Sequence, residues 1–277
     1  MQRLRQWGTK TIRAMLIAGL GLVLLFCLGS FEGAIAAPLT AEAVNAGESL
    51  AGEAIEALQQ GDLTAAEAIW TQLIQQFPTN PAVWSNRGST RVSQNKLEAA
   101  IADFNEAMRL APDAPDPYLN RGIAYEGLAR WDDAIADYNR VLELDPDDAI
   151  AYNNRGNAEA GRGDWAAAQA DYNHAIELEP QFSLAQANNA LSLYELGDDQ
   201  TAIQTMRNLV RKYPMFPDLR AALTAVLWDS HQQGEAESNW VAAMGLDRRY
   251  SDIEWVRTVR RWPPRVAAAL ERFLTLN

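Results

Sequence analysis

Five of the chain's twelve prolines, Pro78, Pro112, Pro146, Pro180 and Pro214, stand 34 residues apart. Random placement gives four such successive hits with a probability on the order of 10⁻⁶ in a given phase, so the chain is an array. Phasing on these prolines divides it into repeats at 47–80, 81–114, 115–148, 149–182, 183–216 and 217–250, the last with Arg248 where a sixth proline would fall. A second marker runs through all six: Ala66, Ala100, Ala134, Ala168, Ala202 and Ala236. Each is followed four residues later by a large side chain, namely Trp70, Phe104, Tyr138, Tyr172, Met206 and Trp240. The first half of each repeat carries a small residue at Ala54, Gly88, Gly122, Gly156 and Ala190, with Trp84, Tyr118 and Tyr152 four residues ahead of the middle three. Small residues on two antiparallel helices permit close approach, and a large residue one turn on fills the space beside them. Proline then stops the second helix. No single helix pair buries its apolar face alone, so the pairs must stack on their neighbours.

The combined pattern resembles the tetratricopeptide repeat family over residues 47–250. The resemblance implies an all-α fold, a right-handed superhelical α-solenoid of about six helix–turn–helix repeats with the first helices lining the concave face, closed by C-terminal capping helices in 251–277. Where the family expects tyrosine, Tyr125 fits, whereas Arg91 and Glu159 stand in the same place in their repeats; pairing across repeats is one account of those charges. The first repeat, with Leu50 and no aromatic, and the last, with Thr224 and Arg248, are the weakest matches, as terminal repeats are.

Asn86, Asn120, Asn154 and Asn188 form a 34-residue column. At 100° per residue each asparagine points roughly opposite the stripe set by Trp84 and Gly88 in its own repeat, away from the packing surface. An amide both donates and accepts, so such a column can satisfy the backbone of a bound extended segment, with Leu119, Asn157 and Tyr194 as neighbours that set specificity. Some superhelical members of the family hold peptides on an asparagine ladder, and this column resembles one. The competing reading is that each amide bridges adjacent helices. Beside the column, Arg87, Arg121 and Arg155 recur with Asp103, Asp137 and Asp171 on the facing helix, which predicts an Arg–Asp brace inside three repeats; independently solvated charges are the alternative. A family subclass clamps peptide carboxylates with groove cations, but the matching positions here include Asp116, Glu126, Asn153 and Asn157.

The net charge of −12 becomes −15 when the first 36 residues, with four bases and one acid, are set aside. That surface repels phosphate backbones, so nucleic acid is excluded as a partner class. The lone Cys27 and two histidines, His174 and His231, leave no material for a disulfide, a thiolate zinc site or a catalytic triad, and no cofactor or metal is expected. Residues 1–13 are basic and polar, 14–29 are an uncharged apolar run, and Ala34-Ile35-Ala36 fits signal peptidase. The expectation is a signal peptide over 1–36, or an uncleaved anchor, then a linker over 37–46, with the remainder exported to a periplasm or thylakoid lumen. The tail reverses sign, carrying arginines 248, 249, 257, 260, 261, 265 and 272, and two short helices are expected: a stripe of Ile253, Val256 and Val259, and, after Pro263-Pro264, one of Val266, Leu270, Phe273 and Leu274. The tail is either a solenoid cap or a basic dock for an acidic partner or membrane, and its Arg248-Arg249-Tyr250, Trp255 and Arg261-Trp262-Pro263-Pro264 resemble weakly the tails of thylakoid-lumen members of the family. The functional expectation is a non-enzymatic scaffold that binds protein segments, serving membrane-complex assembly. A self-assembling structural module and an accessory subunit of an enzyme complex are the alternatives.

Overall fold

A computed structural model describes residues 41–276 of the chain, so the expected export segment over 1–36 lies outside the described residues. Among the described residues every regular element is helical. The chain divides into two compact units, one through Leu128 and one from Ala129. The N-terminal unit holds α1 (Ala41–Gln60), α2 (Leu63–Gln76), α3 (Pro81–Ser93), α4 (Leu97–Leu110) and α5 (Pro115–Gly127). The C-terminal unit holds α6 (Trp131–Leu144), α7 (Ala149–Arg162), α8 (Trp165–Leu178), α9 (Ser183–Glu195), α10 (Asp199–Lys212), α11 (Pro217–Asp229) and α12 (Gln233–Leu246). A 3-10 turn (Arg248–Ser251), α13 (Ile253–Thr258) and α14 (Pro264–Leu276) complete it. The linker expected over 37–46 is helical from Ala41 onward, because its alanines and glutamate are strong helix formers.

The core follows the markers. All six second-helix alanines have 0% exposure, and Trp70, Phe104, Tyr138, Tyr172 and Met206 are buried beside them. A Cβ added to Gly88 would stand 2.7 Å from the Phe104 ring, and one added to Gly156 2.7 Å from that of Tyr172, so the small residue is a steric requirement of the close approach.

Two further devices recur with the same period. The residue between the two helices of each repeat adopts left-handed backbone: Gly61, Asn95, Ala129, Gly163, Gly197 and His231, with φ from 57° to 92°. Where the hairpin lies within one unit, the next residue's N–H reaches back five residues, as Asp62 does to the Ala57 carbonyl (2.9 Å) and Asp198 to that of Leu193 (2.9 Å). This closes the first helix. After each of the three glycines an aspartate opens the second helix, Asp62, Asp164 and Asp198 accepting from the N–H groups of Ala65, Ala167 and Thr201. The second device joins consecutive repeats. At four of the five proline junctions the proline carbonyl near the end of one repeat accepts from the fourth residue of the next: Trp84 Nε1 to Pro78 (2.9 Å), Tyr118 Oη to Pro112 (3.1 Å), Gln186 Nε2 to Pro180 (2.9 Å) and Arg220 Nε to Pro214 (2.8 Å). What the position needs is a donor on a side chain long enough to reach, which is why Gln186 and Arg220 stand in for the aromatics.

The tail departs from a simple end cap. α14 packs across the first helices α11 and α9 and meets α12 at Trp240, whose ring lies 5.1 Å from that of Phe273. As a result α11 is covered on both sides, with every residue from Asp218 to Leu227 buried apart from Arg220. The stripe expected of Ile253, Val256 and Val259 is broken: Val256 is buried but Val259 is 63% exposed, because α13 ends at Thr258.

Candidate functional site

The asparagine column divides into two chemically different pairs. In the N-terminal unit Asn86 on α3 and Asn120 on α5 are half-buried, and neither side-chain amide has a hydrogen-bond partner among the described residues. Beside them lie Ser85 and Ser89, whose helix geometry satisfies the Ser89 hydroxyl on the Ser85 carbonyl (3.0 Å), and the half-buried Leu119 and exposed Ile123. Both amides therefore keep a donor and an acceptor available next to modest apolar surface.

In the C-terminal unit the corresponding amides are partly spent. Asn188 Nδ2 donates to Asn153 Oδ1 and Asn157 Oδ1, both at 3.1 Å, and so links α9 to α7. Asn157 Oδ1 also accepts from the Tyr172 hydroxyl (3.0 Å), and Asn153 donates to Asn154 Oδ1 (3.2 Å). Asn153 is buried, which removes it from the groove-facing set. Asn157 serves the helix bridge rather than the open surface. The reading of Tyr194 as a specificity residue is corrected outright: it is 0% exposed, its hydroxyl donates to Asp229 Oδ2 (2.8 Å), and Arg265 of the tail lies 3.9 Å above its ring. Burial, together with the bond to Asp229, holds its pKa far above the ordinary tyrosine range. Exposed apolar side chains of this unit's first helices sit elsewhere, at Ile150 and Leu184, which occupy the same place in consecutive repeats.

The arginines and aspartates beside the column are brought together within each unit. Arg87 grips Asp103 through Nε (3.0 Å) and Nη2 (2.7 Å), and Arg155 grips Asp171 through Nε (2.8 Å) and Nη2 (2.7 Å). Arg121 belongs to the N-terminal unit, where it donates to Asn105 Oδ1, and Asp137 is buried in the C-terminal unit. Arg91 pairs across repeats, with Glu67 of the preceding one (2.8 Å) as well as with Asp103 (2.9 Å) of its own. Hydrogen bonds from Lys96 and Arg91 hold the Glu67 carboxyl at about 2, well below its usual 4.5. Glu159 pairs with Arg162, which also reaches Asp132 of the preceding repeat at 3.1 Å.

The two histidines lie in different settings, and His174 Nδ1 stands 3.6 Å from Glu177 Oε2 one helical turn on. His174 packs on the Tyr152 ring (4.2 Å between centroids), and His231 is the left-handed turn residue of the last hairpin. Among the described residues no group of three or more His, Cys, Asp or Glu side chains is arranged to hold a metal ion.

The tail arginines, read as a basic dock, are mostly neutralised within their own unit. Arg265 is clasped by Asp199 (2.7 Å from Nη2 to Oδ2), Arg272 by Asp229 (2.8 Å from Nε to Oδ1) and Arg257 by Glu271 (2.6 Å). Arg249 pairs with Asp247 (2.7 Å), and Arg261 lies 5.6 Å from the Trp131 ring centre. A buried acid that sequence reasoning passed over, Asp218, accepts from Tyr250 Oη (2.6 Å), Trp262 Nε1 (2.9 Å) and Arg260 Nε (3.1 Å). Its only sequence signal is an acid at the second place of a first helix, opposite an aromatic-rich tail.

Comparison with known proteins agrees with this construction. Three family models match in succession, one described as TPR repeat over residues 88–128 and two as tetratricopeptide repeat over 122–192 and 190–214. No curated protein matches the sequence. Among solved structures, a tetratricopeptide repeat protein from Parabacteroides merdae is similar with a TM-score of 0.64 and 18% identity, over 84% of this chain and all (100%) of that one. A chain of the APC/C hetero-tetramer Cut9–Hcn1 is similar with a TM-score of 0.65 and 16% identity, over 80% of this chain and 42% of that one. YrrB, described as a TPR protein with an unusual peptide-binding site, gives 0.51 and 16% over 69% of this chain and 97% of its own. At these identities the likeness is one of fold. The 34-residue period and the paired helices agree with these matches: residues 88–214 resemble tetratricopeptide repeats, and the solved structures share the helical solenoid fold.

Proposed function

We propose that the protein is a non-enzymatic scaffold that binds an extended segment of a partner protein on the first-helix face of its repeats. A protein–protein interaction scaffold is what the tetratricopeptide repeats and their structural neighbours support. The observation that carries the finer reading is the pair of half-buried, unpartnered amides of Asn86 and Asn120 beside Leu119 and Ile123. A half-buried amide without a protein partner keeps a donor and an acceptor toward solvent, and a peptide backbone can take both on binding. Asn154 and Asn188 each keep half of their amide free beside the inter-helix bridge and are secondary contacts in this reading. The neighbour described as having an unusual peptide-binding site supports the ligand class.

The test is a photo-reactive amino acid placed at Ile123, with captured chains identified by mass spectrometry and affinity then measured for the captured partner. Replacing Asn86 and Asn120 together with alanine is expected to weaken that affinity at least about tenfold, or 1.4 kcal/mol, with the melting temperature held within a few degrees. Unchanged affinity, or a collapsed melting temperature, would make these amides structural.

We further propose that the protein works on the far side of a membrane, in a periplasm or thylakoid lumen, where it serves assembly of a membrane complex. The support is the basic, apolar and Ala34-Ile35-Ala36 sequence of the first 36 residues. Protein purified from its native host is expected to begin at Ala37 by intact mass; a soluble cytosolic chain of full length would end this reading.

A further inference from the structure

The column of asparagines ends where the tail begins to cover the first helices. Carrying its spacing on from Asn188 leads to residue 222, which is alanine and 1% exposed. Above it lies α14, whose Val266, Leu270 and Phe273 are buried against α11 and α9. These positions follow the spacing i, i+4, i+7 of one helical face. Arg265 and Arg272, one heptad apart and therefore about 10 Å apart along that face, bracket the apolar stripe. Each enters an acidic seat at the hairpin end of a first helix, the one for Arg265 completed by Asp199 at the start of α10. Arg265 takes the Asp199 carboxylate and the Tyr194 carbonyl, lies over the Tyr194 ring, and offers its own backbone N–H to Glu195 Oε2 (2.9 Å). Arg272 takes both oxygens of Asp229, which also accepts from Tyr194. Phe273 closes the far end, edge-on to Trp228 (5.2 Å) and Trp240 (5.1 Å).

This is the chemistry of a helix-binding surface rather than of a repeat packing on a repeat. Successive repeats join through a first helix laid on the preceding second helix, as α9 is on α8, whereas α14 lies mainly on the first helices α11 and α9 and touches α12 at Trp240. The connector before it is exposed from Arg257 to Arg261 and passes through left-handed backbone at Arg261 (φ 52°), a conformation that a non-glycine residue holds at a cost.

We propose that the face of α9 and α11 is a recognition site for an amphipathic helix of a partner protein carrying two arginines seven residues apart around a stripe of aliphatic and aromatic side chains, and that residues 264–276 are its resident occupant. A partner helix with the pattern of Arg265, Val266, Leu270, Arg272 and Phe273 displaces the tail and takes the same carboxylates. The proposal extends the scaffold reading and rests on it only in treating the first-helix face as protein-binding.

The test uses the full-length chain with a specific protease site inserted between Thr258 and Val259, both exposed, cut after folding. The probe is a fluorescent synthetic peptide of residues 259–277. The expected result is saturable exchange of the peptide into the nicked protein at one site per chain, with at least a tenfold loss when the peptide carries Arg265→Ala and Arg272→Ala. In the uncut chain, the same two substitutions in the tail are expected to admit the wild-type peptide. A nicked protein that unfolds, or that never exchanges its tail, would show α14 to be an integral part of the fold and overturn the proposal. Equal binding of the double-alanine peptide would overturn it as well. Because the probe is copied from this chain and acts at α9 and α11, its failure leaves the experiment at Asn86 and Asn120 untouched.

Discussion

A residue's role in this protein is set by its place in the 34-residue period more than by its chemical type. His231 illustrates the point: as one of two histidines in the chain it invites a catalytic reading, yet it stands at the same turn as Gly61, Gly163 and Gly197 and simply tolerates left-handed backbone there. A side chain in that conformation costs roughly 1–2 kcal/mol, part of which glycine gives back through its looser unfolded chain. His231→Gly is therefore expected to raise stability by about 0.5–1 kcal/mol in urea unfolding, with no change in helix content by circular dichroism. Glu67 is read the same way, as the carboxylate beneath Arg91 and Lys96. Its folded pKa of about 2 lies below the unfolded value near 4.5, so its contribution is complete above pH 4.5 and disappears as the pH falls toward 2. The melting temperature of Glu67→Gln is expected to lie below that of the unsubstituted protein at pH 6, with the gap closing by about pH 2.5. A constant gap across that range would show that the carboxylate's charge does not matter to the fold.

At the scale of helices, the two-point Arg–Asp grip ties the first helix of a repeat to its second. In the pair Arg155 and Asp171, the aspartate side chain is 11% exposed and the arginine 25%, so the attraction is far less screened than in a surface pair. A double-mutant cycle of Arg155→Ala and Asp171→Ala is expected to give a coupling of about 1 kcal/mol, and additive losses would mean the two side chains act separately. Alternation of donor and carbonyl between repeats, from Trp84 and Pro78 to Arg220 and Pro214, supplies the next link along the chain. Helix existence and pairing were readable from sequence because the same local task is solved six times, and its solution can be compared with itself. The left-handed turn was readable too, had the spacing of Gly61, Gly163 and Gly197 been set beside Asn95 and His231. Asn153, Asn157 and Asn188 were less so: their spacing places them near one another, but only the crossing of α7 and α9 decides that the amides turn toward each other instead of outward.

Taken as a molecule, the chain hides from sequence what it does only once. The tail's seat joins residues 66 positions apart at Arg265 and Asp199, and 43 apart at Arg272 and Asp229, with no second example to reveal a rule. Seven tail arginines in a protein of net charge −12 read naturally as free positive charge, and the structure instead spends most of them on acids of the same unit. Ala222 was the available clue, since an alanine in an asparagine column marks a place with no water to face. The seat also bears on how such a gene can lengthen. Duplicating the stretch for residues 149–182 copies none of the tail's acidic anchors, because Glu195, Asp199, Asp218 and Asp229 all follow it. Duplicating 217–250 would create a second Asp218 and a second Asp229 competing for one set of Arg260, Trp262 and Arg272. Growth of the array by unequal crossing-over is thus permitted in its interior and penalised at its C-terminal end, and variants of this gene with extra repeats should carry them upstream of residue 183.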